Sequence, residues 1–178
     1  YQDASSTWIE KFLFKSSFIS KLLGWWYDSS FSKSKIKQAI DQLNIDETEF
    51  EHPTDSYKNF NEFFIRHLKE EARPYSKDER DIVSPADGRV LVFPKLENAT
   101  FAPVKGYPFD LHKMIPDHAE KYKEGALAIV RLCPADYHRY HFPCDGQIVE
   151  SRLYEGALHS VNPIALGSGA DVFGENKR

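Results

Sequence analysis

Arg131–Gly146, RLCPADYHRYHFPCDG, is the stretch on which the reading of this chain turns. It continues an apolar, β-branched run, Ala126–Leu132, with the length and composition of a buried strand. Pro134 and Pro143 then bracket a segment holding Tyr137, His138, Tyr140 and His141, with Cys133 and Cys144 at its ends. In a regular strand, residues three apart point to opposite faces, whereas on a helical or 3-10 turn they share a side. The prolines favour an irregular turn between strands, so the two imidazoles either work in one pocket or stand on two walls.

Outward from this stretch, the texture from Asp81 onward is β-like. Short apolar runs at Arg89–Phe93, Ala126–Leu132 and Gln147–Tyr154 alternate with Pro, Gly, Asp-Gly and Asn-Pro breaks. Leu111–Tyr122 reads as a helix interrupted at Pro116. The chain before Asp81 is helical in pattern. Ser34–Leu43 places Ile36, Ile40 and Leu43 on one side. Asn59 with Glu62 three residues on forms a capping-box pattern. The helix it opens has Phe60, Phe63, Phe64 and Leu68 on its apolar face, Arg66 and Lys69 on the opposite side, and Pro74 closing the segment. Residues 5–27 form one or two amphipathic helices, with Trp8, Phe12, Ile19, Leu22, Leu23 and Trp26 near one face. Phe14, Phe18 and Trp25 widen that face. The expectation is an α+β chain: a helical, amphipathic N-terminal third on a β-rich body of mainly antiparallel strands, divided into residues 1–74 and 75–178.

The net charge of −4 argues against general nucleic-acid binding. It hides an asymmetry, because residues 1–40 carry +3 and the remainder −7. A basic, aromatic front on an acidic body suits a phospholipid surface, with Trp8, Phe12, Phe18, Leu22, Trp25 and Trp26 as the membrane contacts. The other reading is a helix docked on the protein's own core. No apolar run approaches the roughly 18 residues of a spanning helix, and two cysteines imply no disulfide framework.

Asp87 sits in Ser84-Pro85-Ala86-Asp87-Gly88, where an Asp-Gly turn either aims a carboxylate or is capped by it. His138 and His141 are either acid–base groups or packing or surface residues. Together with Cys133 and Cys144 they also make a donor set that zinc would accept. Asn162, in Ser160-Val161-Asn162-Pro163, either donates to a substrate phosphate or carboxylate or stabilises its loop. Arg131, Arg139 and Arg152 either meet such a phosphate or form ordinary surface pairs.

The segments Phe60–Pro74, Ser84–Val90, Arg131–Gly146, Gly156–Leu166 and Glu175–Arg178 together resemble, in content and order, the phosphatidylserine decarboxylase family. The resemblance implies conversion of phosphatidylserine to phosphatidylethanolamine and CO2 by a pyruvoyl group made from a serine of the protein itself. That serine is expected downstream of Arg178, on a small C-terminal chain of the same precursor, and Leu166-Gly167-Ser168 is read as a chance likeness to the family's tripeptide. The chain is accordingly expected to be one piece of such an enzyme. By resemblance, Asp87 and His141 assist self-cleavage, His138 acts in decarboxylation, no metal is needed, and a homodimer is compatible. The expected location is peripheral, on the cytoplasmic face of a bacterial membrane or on an organelle membrane. The competing functions are a relative acting on a soluble amino acid such as tryptophan, and a non-catalytic lipid-binding member.

Overall fold

The computed structural model describes residues 17–96, 100–104, 107–159 and 172–178. Helix α1 covers Ser17–Asp28, α2 Ser34–Leu43 and α3 Phe60–Phe64. Strand β1 spans Arg89–Phe93 and pairs with β4, Leu127–Arg131. Between them lie β2 (Thr100–Val104), β3 (Tyr107–Asp110), α4 (Leu111–Met114) and α5 (Ala119–Tyr122). A last short helix, α6, is Val172–Glu175. Helices in the N-terminal part and small sheets, one of them antiparallel, give the expected α+β class.

The chain divides into two compact units. One comprises Leu23–Leu91 and Ile129–Val149, and its core is aromatic. Ile36 and Ile40 of α2, one helical turn apart, are buried with Phe50, Tyr57 and Phe63. Phe50, Tyr57 and Phe63 meet edge-on in all three pairings, with centroids 6.0 to 6.5 Å apart, the geometry that ring quadrupoles favour. Ser32 is fully buried, and its hydroxyl lies 2.8 Å from the Tyr27 and Ser29 carbonyls while accepting from the Phe60 amide. One side chain thus satisfies backbone groups at the end of α1 and the start of α3.

The α3 cap forms as the pattern implies, with the Asn59 side chain accepting from the Glu62 amide at 2.9 Å. Glu62 reaches back to the amide of Lys58, one residue before the cap. The helix ends at Phe64, which corrects the expectation of a longer one. Leu68 instead forms an antiparallel bridge with Phe50, and Arg66 is buried rather than on a solvated face. Helical periodicity ceases to apply once the chain has turned at Ile65.

The other unit contains residues 17–22, 92–128 and 150–178, and Leu96, Leu111 and Ala119 form its small core with Met114, Ile115 and Leu127. Sequence reading overlooked the β2–β3 hairpin. Its register slips between Phe101 and Val104, where Pro103 offers no amide to the ladder. Gln147–Tyr154, expected as a strand, is not one. Ile148, Val149 and Leu153 are exposed, and Tyr154 exchanges backbone hydrogen bonds with Arg178 instead. Arg178 lies over the Tyr154 ring and donates to the carbonyls of Lys113, Met114, Gly174 and Asn176.

Candidate active site

Two loops and one turn of the first unit build the site. Gly88, with φ of +125°, closes the Ser84–Asp87 turn where a side chain would strike the Arg131 carbonyl. Beyond Arg131, the chain turns at Cys133–Asp136, closed by Asp136 N–H to the Cys133 carbonyl and by Cys133 N–H to the Asp136 carboxylate. The two loops are then joined by backbone. Val83 donates to the Pro143 carbonyl at 2.9 Å and His141 donates to that of Pro85 at 2.7 Å. The Asp87 turn and the histidine loop therefore lie side by side.

The side chains are arranged as follows. Asp87 is gripped by Arg73, whose Nε lies 2.9 Å from both carboxylate oxygens and whose Nη2 lies 2.8 Å from Oδ2. Arg73 also holds Glu49 at 2.9 Å. These two carboxylates, Asp87 foremost, raise the guanidinium pKa further above its ordinary value. Among the described residues, no hydrogen bond links Asp87 to either imidazole. His138 is half-buried, its Nδ1 lies 2.8 Å from the Asp136 carbonyl, and its ring lies under Phe64 with centroids 3.9 Å apart. His141 is exposed and stacks on the buried Tyr137 ring at 5.9 Å.

Arg66 is the group that sequence reasoning misplaced. It is 3% exposed, lies 5.2 Å from the Phe50 centroid and 5.1 Å from that of Phe63, and donates from Nη2 to the Ala135 carbonyl. Among the described residues its Nε and Nη1 have no hydrogen-bond partner, and burial pulls its pKa down. Burial likewise pushes the neighbouring Tyr57 phenol up. Among the described residues no carboxylate contacts the cation, so ring faces and one carbonyl replace its water. Arg66→Ala is expected to lower unfolding free energy by about 3 kcal/mol through lost packing. Arg66→Met, which keeps the bulk and removes the desolvated charge, should stay within about 1 kcal/mol of the parent. Urea unfolding checks this, and equal losses in the two variants would overturn it.

Among the described residues, no three His, Cys, Asp or Glu side chains assemble as a metal set. Asn162, Trp8 and Phe12 lie outside the described residues, as does Leu166-Gly167-Ser168. Three residues before Asn162 in sequence, His159 is clasped in the second unit, its backbone bonded both ways to the Asn176 side chain and its Nε2 3.4 Å from Glu175. On α1, Phe18, Leu22 and Trp25 are 74%, 53% and 70% exposed and follow one helical stripe. Trp26 is half-buried, meets the Tyr27 ring edge-on at 5.0 Å, and lines a shallow groove of about 330 Å³ with Lys35, Gln38 and Phe60. No helix among the described residues is long and apolar enough to cross a membrane.

Arg73, Phe64 and Tyr137 each sit in a quoted motif, yet only proximity in space reveals what they touch. The family profile described as phosphatidylserine decarboxylase matches residues 60–178. The chain is 43% identical over 174 residues to the phosphatidylserine decarboxylase proenzyme of Clostridium perfringens, covering 97% of this chain and 59% of that protein. It is 42% identical over 164 residues to the protein of that name from Fusobacterium nucleatum, covering 89% and 55%. The Chlamydia muridarum protein is 40% identical over 172 residues, covering 96% and 57%. The chain thus spans a little under three-fifths of the length of these curated relatives.

Proposed function

This chain belongs to the phosphatidylserine decarboxylase family, and from that premise we propose that it supplies the aspartate and histidines of a pyruvoyl-dependent enzyme. The reaction would convert phosphatidylserine to phosphatidylethanolamine and CO2 at a membrane surface, with residues 1–74 facing the bilayer and 75–178 forming the catalytic body. The observation that carries this reading is the 2.7 Å bond from the His141 amide to the Pro85 carbonyl, which sets the histidine loop against the Asp87 turn.

Loss of CO2 leaves electrons on the α-carbon that no ordinary side chain disperses, and a pyruvoyl carbonyl, made from a serine of the precursor's remaining segment, supplies that dispersal. The groups present suit such a site. Among the described residues, neither the Nε2 of His138 nor either ring nitrogen of His141 has a hydrogen-bond partner. His141 would take the hydroxyl proton of the precursor serine. Asp87, with Arg73 fixing its orientation, would steady the resulting charge. His138 would hold the proton that takes the place of CO2. The exposed Ile148 and Val149 would offer an apolar surface to the small second chain of the precursor. The stripe of Phe18, Leu22 and Trp25 offers one to lipid.

The test uses the full-length protein. Mass spectrometry should show two chains, the second blocked at its N-terminus by pyruvate. Vesicles containing phosphatidylserine should sediment the protein and yield phosphatidylethanolamine. CO2 released from free tryptophan but not from the lipid would assign the soluble-substrate reading instead. An uncut protein without activity would leave the lipid-binding reading.

A further inference from the structure

We propose that Phe64 is a positioning residue for His138, and that with the Asp136 carbonyl it makes Nε2 the one nitrogen of that ring able to exchange a proton. The inference deepens the proposed role of His138 and rests on it.

A carbonyl oxygen can only accept, so a ring nitrogen 2.8 Å from the Asp136 carbonyl must carry the hydrogen. His138 then keeps its Nδ1 proton whether neutral or charged, and only Nε2 gains or loses one. One hydrogen bond still allows an imidazole to rock about that bond. The Phe64 ring, 3.9 Å away centroid to centroid and tilted by 38°, blocks one face and removes that freedom.

The stack is built in on both sides. Ile65 accepts from Arg139 Nε at 2.8 Å through its carbonyl. Arg66, the next residue, donates to the Ala135 carbonyl at 3.2 Å. Three consecutive residues, Phe64, Ile65 and Arg66, thus grasp the loop at His138, Arg139 and Ala135. Reciprocal bonds between Cys133 and Asp136 fix the turn that presents the carbonyl. A ring held at one nitrogen and one face is suited to deliver a proton along a single direction, and a small misplacement of such a group costs rate rather than binding.

The experiment compares full-length parent, Phe64→Leu, Phe64→Tyr and His138→Ala on phosphatidylserine vesicles, with 15N-histidine NMR of the parent. Self-cleavage is expected in all four. Phe64→Leu should lower kcat about tenfold to a hundredfold with KM unchanged, and Phe64→Tyr should restore it. The neutral His138 ring should show an Nδ1–H and a bare Nε2. An Nε2–H tautomer, or a Phe64→Leu protein with parental kcat, overturns the inference. If Phe64→Leu fails to fold, Phe64→Met replaces it and is judged by the same kcat criterion. A His138→Ala protein that keeps activity removes the proposed role of His138 instead, and the NMR tautomer still judges how the ring is held.

Discussion

Full-length protein carrying His141→Ala is expected to remain one uncut chain, its processing slowed about a thousandfold. The expectation follows from where His141 stands. Its main chain is pinned to the Asp87 turn by the Pro85 carbonyl, while its ring faces solvent with one side on Tyr137. The anchoring thus belongs to the backbone and the chemistry to the imidazole, so alanine deletes the base without loosening the loops. A gel of the purified variant reads this directly, with circular dichroism confirming the parental fold. Cleavage at the parental rate would show that another group takes the serine proton. Asp87→Ala should also slow cleavage. Because Arg73 spans Asp87 and Glu49 and also donates to the Ala72 carbonyl, removing Asp87 leaves the guanidinium one carboxylate and one carbonyl, so the loss of rate is not expected to come with unfolding.

Gly88→Ala should carry the largest penalty in stability, about 4 kcal/mol. At a φ of +125° an L side chain is strained in any surroundings. Here the added Cβ would also lie 2.3 Å from the Arg131 oxygen and 2.8 Å from its carbonyl carbon. Both are main-chain atoms, so no rotamer change relieves the overlap. Either the Asp87 turn or the lead into the histidine loop must shift. The urea midpoint of Gly88→Ala, set beside that of the exposed-helix control Lys37→Ala, measures the effect. Parental stability would show that the two loops do not approach this closely.

Local signals in the chain foretold what is local in the fold. Ile36 and Ile40 are buried as their spacing implies, Asn59 caps α3, and Arg89–Phe93 is a strand with the boundaries its composition suggests. Pro116 falls between two short helices, as expected. Failures came where a partner distant in sequence decides the outcome. Arg66 looked like a solvated cation because nothing near it in the chain announces Phe50 or the Ala135 carbonyl. Asp87 could be picked out as a carboxylate on a turn, yet Arg73 as its partner needed coordinates. Gln147–Tyr154 has strand-like residues, but composition cannot supply a neighbouring strand to pair with. That Phe18, Leu22 and Trp25 belong to an amphipathic helix was legible, whereas the turn of Trp26 toward Tyr27 was not.

Arg178 ties the second unit together through main-chain carbonyls. Asp117 and Glu150 nearby are held below the usual carboxylate range, the first by the Tyr154 hydroxyl and then Arg152, the second by Arg152 and then His118. What such depressed groups contribute is fully present above an unfolded pKa of about 4 and disappears as pH falls through their lower folded values. The acceptors on the Arg178 guanidinium are peptide carbonyls, which do not titrate. Only acid below about pH 4 therefore strips these carboxylate pairs, whereas the bonds from Arg178 to the Lys113 and Met114 carbonyls keep their acceptors.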